Sequence, residues 1–184
     1  MNAEQLQKTL HASQYAEQVL GLHHIVLEQD YQVDQYQKSL GTKQIQQFVL
    51  ENLHGIRDEM TWMKVLRVLR ARLMFRWIWQ DANQLTDVVT LTRELSDFAD
   101  VSIMVAKDFA LTPLVAKYGQ ALGYNGKVQD LIVIAMGKLG AQELNLSSDI
   151  DLIFAFDEQG ETDGRKCIDV QQFCILWGQK LIYL

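Results

Sequence analysis

Cysteine is nearly absent from this 184-residue chain, proline occurs once, and basic residues are outnumbered by acidic ones. Each scarcity removes a class of protein. The two cysteines, Cys167 and Cys174, fit neither a zinc-ligand pattern nor a redox CxxC pair. Seven positions on a helix separate side chains by about 10 Å, too far for a disulfide. Buried free thiols in a reducing compartment are therefore expected. Lys+Arg number 17 against 23 Asp+Glu, a net charge of -6. General nucleic-acid binding needs a basic surface that displaces counterions from phosphates, so it is not expected here. The first ten residues include Asn2, Glu4, Gln5 and Gln7 with no apolar stretch, unlike a signal peptide. No window approaches the ~20 apolar residues of a membrane span. By elimination, the cytoplasm is the expected location.

What is present is helix-forming sequence. The single proline, Pro113, and few glycines interrupt the first 125 residues. Leu6, Leu10, Tyr15 and Leu20 predict a modestly amphipathic helix over 3–20, and Ile45, Phe48, Val49 and Leu53 another over 42–53. From Asp58, an N-cap, to about Asn83, Trp62, Leu66, Leu69, Leu73 and Trp77 recur at three and four, with further apolar groups on other faces. This is the expected centre of a bundle, with the tryptophans filling cores. Another helix is predicted from Thr86 to Lys117, kinked or ended by Pro113.

The texture changes after Gly123-Tyr124-Asn125-Gly126. Residues 129–136 read as a buried strand ended by Gly137, residues 139–144 as one or two helical turns, and 149–156 as a second strand. A loop over 157–165 and a helix from Val170 to Leu184 follow. Helices first and strands later predict an α+β chain, with a helical region over 1–125 and a second, partial domain over 126–184.

Asp149 and Asp151 carry the chemical interest. In a strand, residues i and i+2 face the same way, about 6.5–7 Å apart at Cα. Two carboxylates side by side repel, and a hard divalent cation such as Mg²⁺ relieves that repulsion. An Asp-x-Asp at a strand edge is more often a solvated turn or a cap. The Gly137-Lys138 turn ten residues upstream shifts the balance, since glycine lets a phosphate approach the backbone and lysine offers a point charge. The turn is neither a GxGxxG fingerprint nor a P-loop. Arg67, Arg70, Arg72 and Arg76 spread around their helix, which suits pairing with acidic neighbours better than gripping phosphate. His23-His24 lacks metal-ligand spacing, and Ser147 and Ser148 have no histidine near in sequence.

The run from Ala135 through Gly137-Lys138-Leu139-Gly140-Ala141-Gln142-Glu143-Leu144 to Ser148-Asp149-Ile150-Asp151-Leu152-Ile153-Phe154 resembles the signature of glutamine synthetase adenylyltransferases. It departs at Ala141, where that family usually has glycine. Leu66-Arg67-Val68-Leu69-Arg70-Ala71-Arg72-Leu73 is similar to the family's arginine-rich helix, whereas residues 1–54 match only loosely.

The resemblance implies the first part of a polymerase-β-like nucleotidyltransferase sheet, truncated at its C-terminus, with Mg²⁺ as cofactor. It implies metal-holding roles for Asp149 and Asp151, a phosphate or nucleotide lining at Gly137 and Lys138, and Ser148 bonding within the same loop. The family's third carboxylate lies in an Asp-x-Arg-Leu-Arg-Pro stretch that this sequence lacks, so little turnover is expected from these 184 residues alone. Family members carry two catalytic units. One removes AMP from a glutamine synthetase tyrosine by phosphorolysis, giving ADP; the other adds AMP from ATP. The wording around Glu143 and Ser148 is closer to the removing unit. The implied partners are adenylylated glutamine synthetase, the PII signalling protein through the longer chain, ADP or ATP, and phosphate. The alternatives are the adenylylating unit and a catalytically silent helical docking module.

Overall fold

The computed structural model describes residues 1–184. Seven helices and two small antiparallel strand pairs make it an α+β structure. Its residues fall into two compact units, Met1–Phe98 with Gln142–Ser148, and Ala99–Ala141 with Asp149–Leu184.

The first unit contains α1 (Ala3–Ala12), α2 (Gln14–Asp34), α3 (Thr42–Leu53), α4 (Glu59–Ala82) and the beginning of α5 (Val88–Tyr118). The expected single helix over 3–20 is two helices, because Ser13 leaves the helical region and caps α2 through the Ala16 amide. His23 adopts non-helical angles and kinks α2. Helix α3 keeps its expected bounds, and Asp58 caps α4 as expected. Helix α5 is capped by Asp87 rather than Thr86, since the Asp87 carboxylate accepts from the Thr90 amide at 2.8 Å. It also runs on through Pro113 to Tyr118.

Aromatic edges lock this core. Tyr31, Tyr36, Phe75 and Trp79 pack with ring centroids 5.2–6.3 Å apart, mostly edge to face. Trp62 and Trp77 are buried as well. The arginines of α4 divide by face: Arg67 and Arg70 are exposed, while Arg72 and Arg76 form two-pronged ion pairs with Asp30 and Asp34 of α2. Arg76 also donates to the Lys38 carbonyl, and Gln80 donates to the Tyr36 and Lys38 carbonyls. These bonds hold a connection in which Gln35 and Tyr36 both have positive φ. Glu94, buried on α5, accepts from the Leu40 amide at 2.7 Å and the Trp77 indole at 2.6 Å. Burial pushes its carboxyl above the usual range despite those bonds.

The second unit holds the remainder of α5, β1 (Ala121–Gly123), β2 (Ile132–Ala135), the single turn α6 (Gly137–Gly140), β3 (Leu152–Ala155), β4 (Gly160–Thr162) and α7 (Val170–Tyr183). Strand β1 pairs with β4, and β2 with β3. The β1–β4 pair was not anticipated, because three-residue strands carry no periodicity to read. Its trace in the sequence is Gly160: a Cβ there would lie 2.0 Å from the Leu122 carbonyl oxygen. Helix α7 docks through Trp177, whose indole donates to the Lys107 carbonyl at 2.8 Å.

Cys174 is buried in α7, and burial pushes its thiol up to about 11. Cys167, expected to be a buried thiol, is instead exposed. Helix α7 starts at Val170 as expected, and Cys167 lies before it in the link from β4, its thiol against the Thr162 carbonyl at 3.0 Å.

Replacing Arg76 by Met should cost about 3–5 kcal/mol in urea unfolding at neutral pH, since it strands the half-buried Asp34 carboxylate. Burial alone would raise the Asp34 pKa, but the bonds and charge of Arg76, with the Tyr36 amide, outweigh it and hold it below the usual range. The stability this pair supplies is therefore present above the usual carboxylate range and lost as pH falls through the depressed value. The gap between the two proteins should narrow on acidification; a gap independent of pH would contradict this account.

Candidate functional site

The candidate site is built at the end of the β2–β3 ladder. Register pairs Ala135 with Leu152, Ile134 with Ile153, Val133 with Phe154 and Ile132 with Ala155. One further bond, from the Met136 amide to the Asp151 carbonyl at 2.9 Å, extends the ladder to the residue before Gly137. Side chains alternate on the pleat. Phe154 turns toward α7, where a Cβ on Gly178 would come within 3.2 Å of its ring. Ile132, Ile134 and Ile153 share the opposite, partly exposed face.

Both strands are shorter than expected from the sequence. Strand β2 spans 132–135 rather than 129–136, and β3 spans 152–155 rather than 149–156. The ladder sets these limits. Gly137 turns the chain at φ +55° immediately after the Met136–Asp151 rung.

Gly137 and Asp151 are brought together. A Cβ built on Gly137 would stand 3.6 Å from Oδ2 of Asp151, so the carboxylate lies against the bare backbone of the bend. Lys138 follows in the first turn of α6 and is exposed. The turn closes with the Gly140 amide on the Met136 carbonyl and the Ala141 amide on the Gly137 carbonyl, both at 3.1 Å. Gly140 packs tightly, because a Cβ there would fall 2.5 Å from the Ala135 carbonyl oxygen. Ala141, the departure from the family pattern, has φ -86° and is exposed, so a methyl group is accommodated without strain.

Asp149 is exposed and lies two residues before the last rung. The ladder therefore fixes Asp151 and not Asp149. Leading into Asp149, Ser148 donates its hydroxyl to Oδ1 of Asn145 at 2.7 Å, and Ser147 donates its amide to the same oxygen at 3.1 Å. Ser148 thus bonds within its own loop. Nowhere in the chain do three His, Cys, Asp or Glu side chains gather as a metal cage.

A cavity of about 360 Å³ lies elsewhere in the same unit, between β3 and α7, lined by Phe154, Phe156, Cys174, Ile175 and Ile182 among others. Its lining is mainly apolar, with Gln171 and Gln179 as its polar side chains, and includes none of the candidate site residues. No helix is long and apolar enough to cross a membrane.

A family model described as glutamate-ammonia ligase adenylyltransferase matches residues 3–184. The match takes in residues 3–54, beyond the reach of the motifs in the sequence. The chain is similar to curated proteins named bifunctional glutamine synthetase adenylyltransferase/adenylyl-removing enzyme. With that of Acinetobacter baylyi it shares 73% identity over 184 residues, all of this chain and 20% of the relative. With that of Hahella chejuensis it shares 41% over 152 residues, 82% of this chain and 16% of the relative. The Thioalkalivibrio sulfidiphilus protein is 43% identical over 132 residues, 72% of this chain and 14% of the relative. The chain thus spans a fifth or less of these relatives' lengths.

Alanine at the two glycines of the bend should have unequal effects. Gly137→Ala should cost about 1–2 kcal/mol for the left-handed backbone, with the new methyl in ordinary contact with Asp151. Gly140→Ala should cost more, about 2–3 kcal/mol, because backbone must move. Urea titrations ranking the two in the opposite order would refute this geometry.

Proposed function

Since the chain belongs to the glutamate-ammonia ligase adenylyltransferase family, we propose that it forms part of the adenylyl-removing unit of such an enzyme. That unit cleaves AMP from a tyrosine of glutamine synthetase by phosphorolysis and releases ADP. The observation that carries the reading is the Asp151 carboxylate set against the Gly137 bend, with Lys138 next in the chain. The sequence around Glu143-Leu144-Asn145 and Ser148-Asp149-Ile150-Asp151 favours removal of AMP over its addition.

Two exposed carboxylates suit Mg²⁺. That ion takes one or two protein carboxylates, keeps water, and fills its remaining positions from substrate phosphates. Asp149 and Asp151 would hold it, and when bound it supplies charge neutralisation on the transferred phosphoryl group. The protein's own part is placement. Glycine at 137 leaves the backbone open to a phosphate, and the Lys138 ammonium adds a positive charge beside it. Ser148 keeps the approach to Asp149 in shape through Asn145. In the reaction, an oxygen of inorganic phosphate attacks the phosphorus of the adenylyl group. The bond to the tyrosine oxygen breaks, that oxygen takes up a proton, and ADP departs. Glutamine synthetase is the protein substrate, and the PII protein acts through the longer chain. The cytoplasm is the compartment where these partners meet.

The full-length protein, given adenylylated glutamine synthetase with a labelled adenylyl group and phosphate, should release labelled ADP. Asp149→Asn with Asp151→Asn should reduce that rate by about 10²–10³-fold or more. The isolated 184 residues, which lack the third carboxylate stretch, should show little or no turnover. Pyrophosphate-linked chemistry abolished by the same substitutions would instead assign the adenylylating unit. Unchanged deadenylylation would leave a silent docking module.

A further inference from the structure

We propose that Gly178, on α7, is a positioning residue for the metal-holding carboxylates. It acts through Phe154, whose ring it admits, and so decides which of the two carboxylates meets the Gly137 bend. The proposal rests on the functional reading above and adds a residue to it. Every group involved belongs to the unit of Ala99–Ala141 with Asp149–Leu184.

The need for such a lock follows from the residues in and before β3. Ile150, Leu152, Phe154 and Phe156 alternate with Asp149, Asp151, Ile153 and Ala155. A slip of one residue would turn the wrong face inward, so the apolar pattern forbids it. A slip of two residues keeps Ile150, Leu152 and Phe154 on the inner face. It also keeps a carboxylate at the bend, because Asp149 then stands opposite Met136 in place of Asp151. The alternation does not separate these two registers. Nor does a second neighbouring strand, since β3 pairs with β2 alone.

Shape separates them. Gly178 is buried within α7. A Cβ built on it would lie 3.2 Å from Cδ2, 3.4 Å from Cε2 and 3.5 Å from Cγ of Phe154. The ring therefore rests on bare helix backbone, in a notch that a side chain at 178 would narrow. Alanine would suit the interior of a helix better than glycine. What glycine supplies instead is room for the ring. In the slipped register the place opposite Val133, held by Phe154, passes to Leu152. A branched aliphatic chain is smaller than the ring and leaves the notch incompletely filled, losing packing contacts. The notch thus favours the register that sets Asp151 against Gly137. A glycine beneath an aromatic ring ordinarily serves packing alone. The two roles differ in what filling the notch does to metal binding.

The test uses the full-length protein, with Mn²⁺ as the probe and electron paramagnetic resonance as the readout. Mn²⁺ binding lost on Asp149→Asn with Asp151→Asn defines this site. Gly178→Leu fills the notch and should weaken that binding by about tenfold or more. Gly178→Ala should act in the same direction by less. Both should speed exchange of the Met136 amide, whose acceptor is the Asp151 carbonyl, in metal-free protein. Both should also raise the Mg²⁺ concentration for half-maximal deadenylylation. Phe154→Leu empties the notch and should weaken Mn²⁺ binding too. Combined with Gly178→Ala, which narrows the notch to fit, it should bind Mn²⁺ more tightly than Phe154→Leu alone. Altered thermal stability with unchanged Mn²⁺ affinity in the Gly178 variants would overturn the proposal, leaving Gly178 a packing residue. If Gly178→Leu does not fold, Gly178→Ala decides, and unchanged Mn²⁺ affinity there overturns the proposal. Mn²⁺ binding indifferent to the two Asp→Asn changes would instead overturn the site reading itself.

Discussion

One backbone hydrogen bond, from the Met136 amide to the Asp151 carbonyl, carries the candidate site. It is the last rung of the β2–β3 ladder, and it falls where the left-handed Gly137 turns the chain out of the sheet. A shift of one residue in register would reverse the face of every side chain on β3, sending Asp151 to the side where Phe154 packs near Gly178. The contact of Phe154 with Gly178 and the open bend at Gly137 therefore specify the same register from opposite ends. Packing beneath the sheet and chemistry above it are coupled through the pleat.

A different logic holds the helical unit. Arg72 and Arg76 reach Asp30 and Asp34, Gln80 and Glu94 satisfy the backbone of the connection between α2 and α3, and the Tyr36 hydroxyl donates back to the Leu27 carbonyl of α2. Buried charges are costly unless every partner is present. Because each carboxylate here meets a fork of donors, the connection is held in one conformation despite its two left-handed residues. The same unit holds the segment Gln142–Ser148, in which the Leu144 amide donates to the Ser96 hydroxyl oxygen and Leu146 packs against the aromatic cluster.

Much of this was legible beforehand. The helix over 42–53 and the Asp58 cap of α4 follow from periodicity and capping chemistry, which are local properties. The buried tryptophans and the pairing of Arg72 and Arg76 follow from their spread around one helix. Pro113 does not end α5, which runs to Tyr118, one residue beyond the expected Lys117. Ser13 and His23 divide and kink the N-terminal helices with no break in the apolar spacing. Cys167 is exposed rather than buried because it precedes the start of α7 at Val170, so its seven-residue spacing from Cys174 is not a helical one.

The sequence by itself determined the family to which the chain belongs and the run of residues that carries the resemblance. An ordered run from Gly137 to Asp151 is a chemical identity that needs no coordinates to read. It also determined that helices precede strands, because apolar spacing is set residue by residue. Only the tertiary structure decided where each strand stops, that Asp151 sits at the glycine bend, and that Ser96 bonds Leu144, 48 positions away. Those features depend on partners distant along the chain, and a partner's location is a property of the folded state that no local pattern encodes.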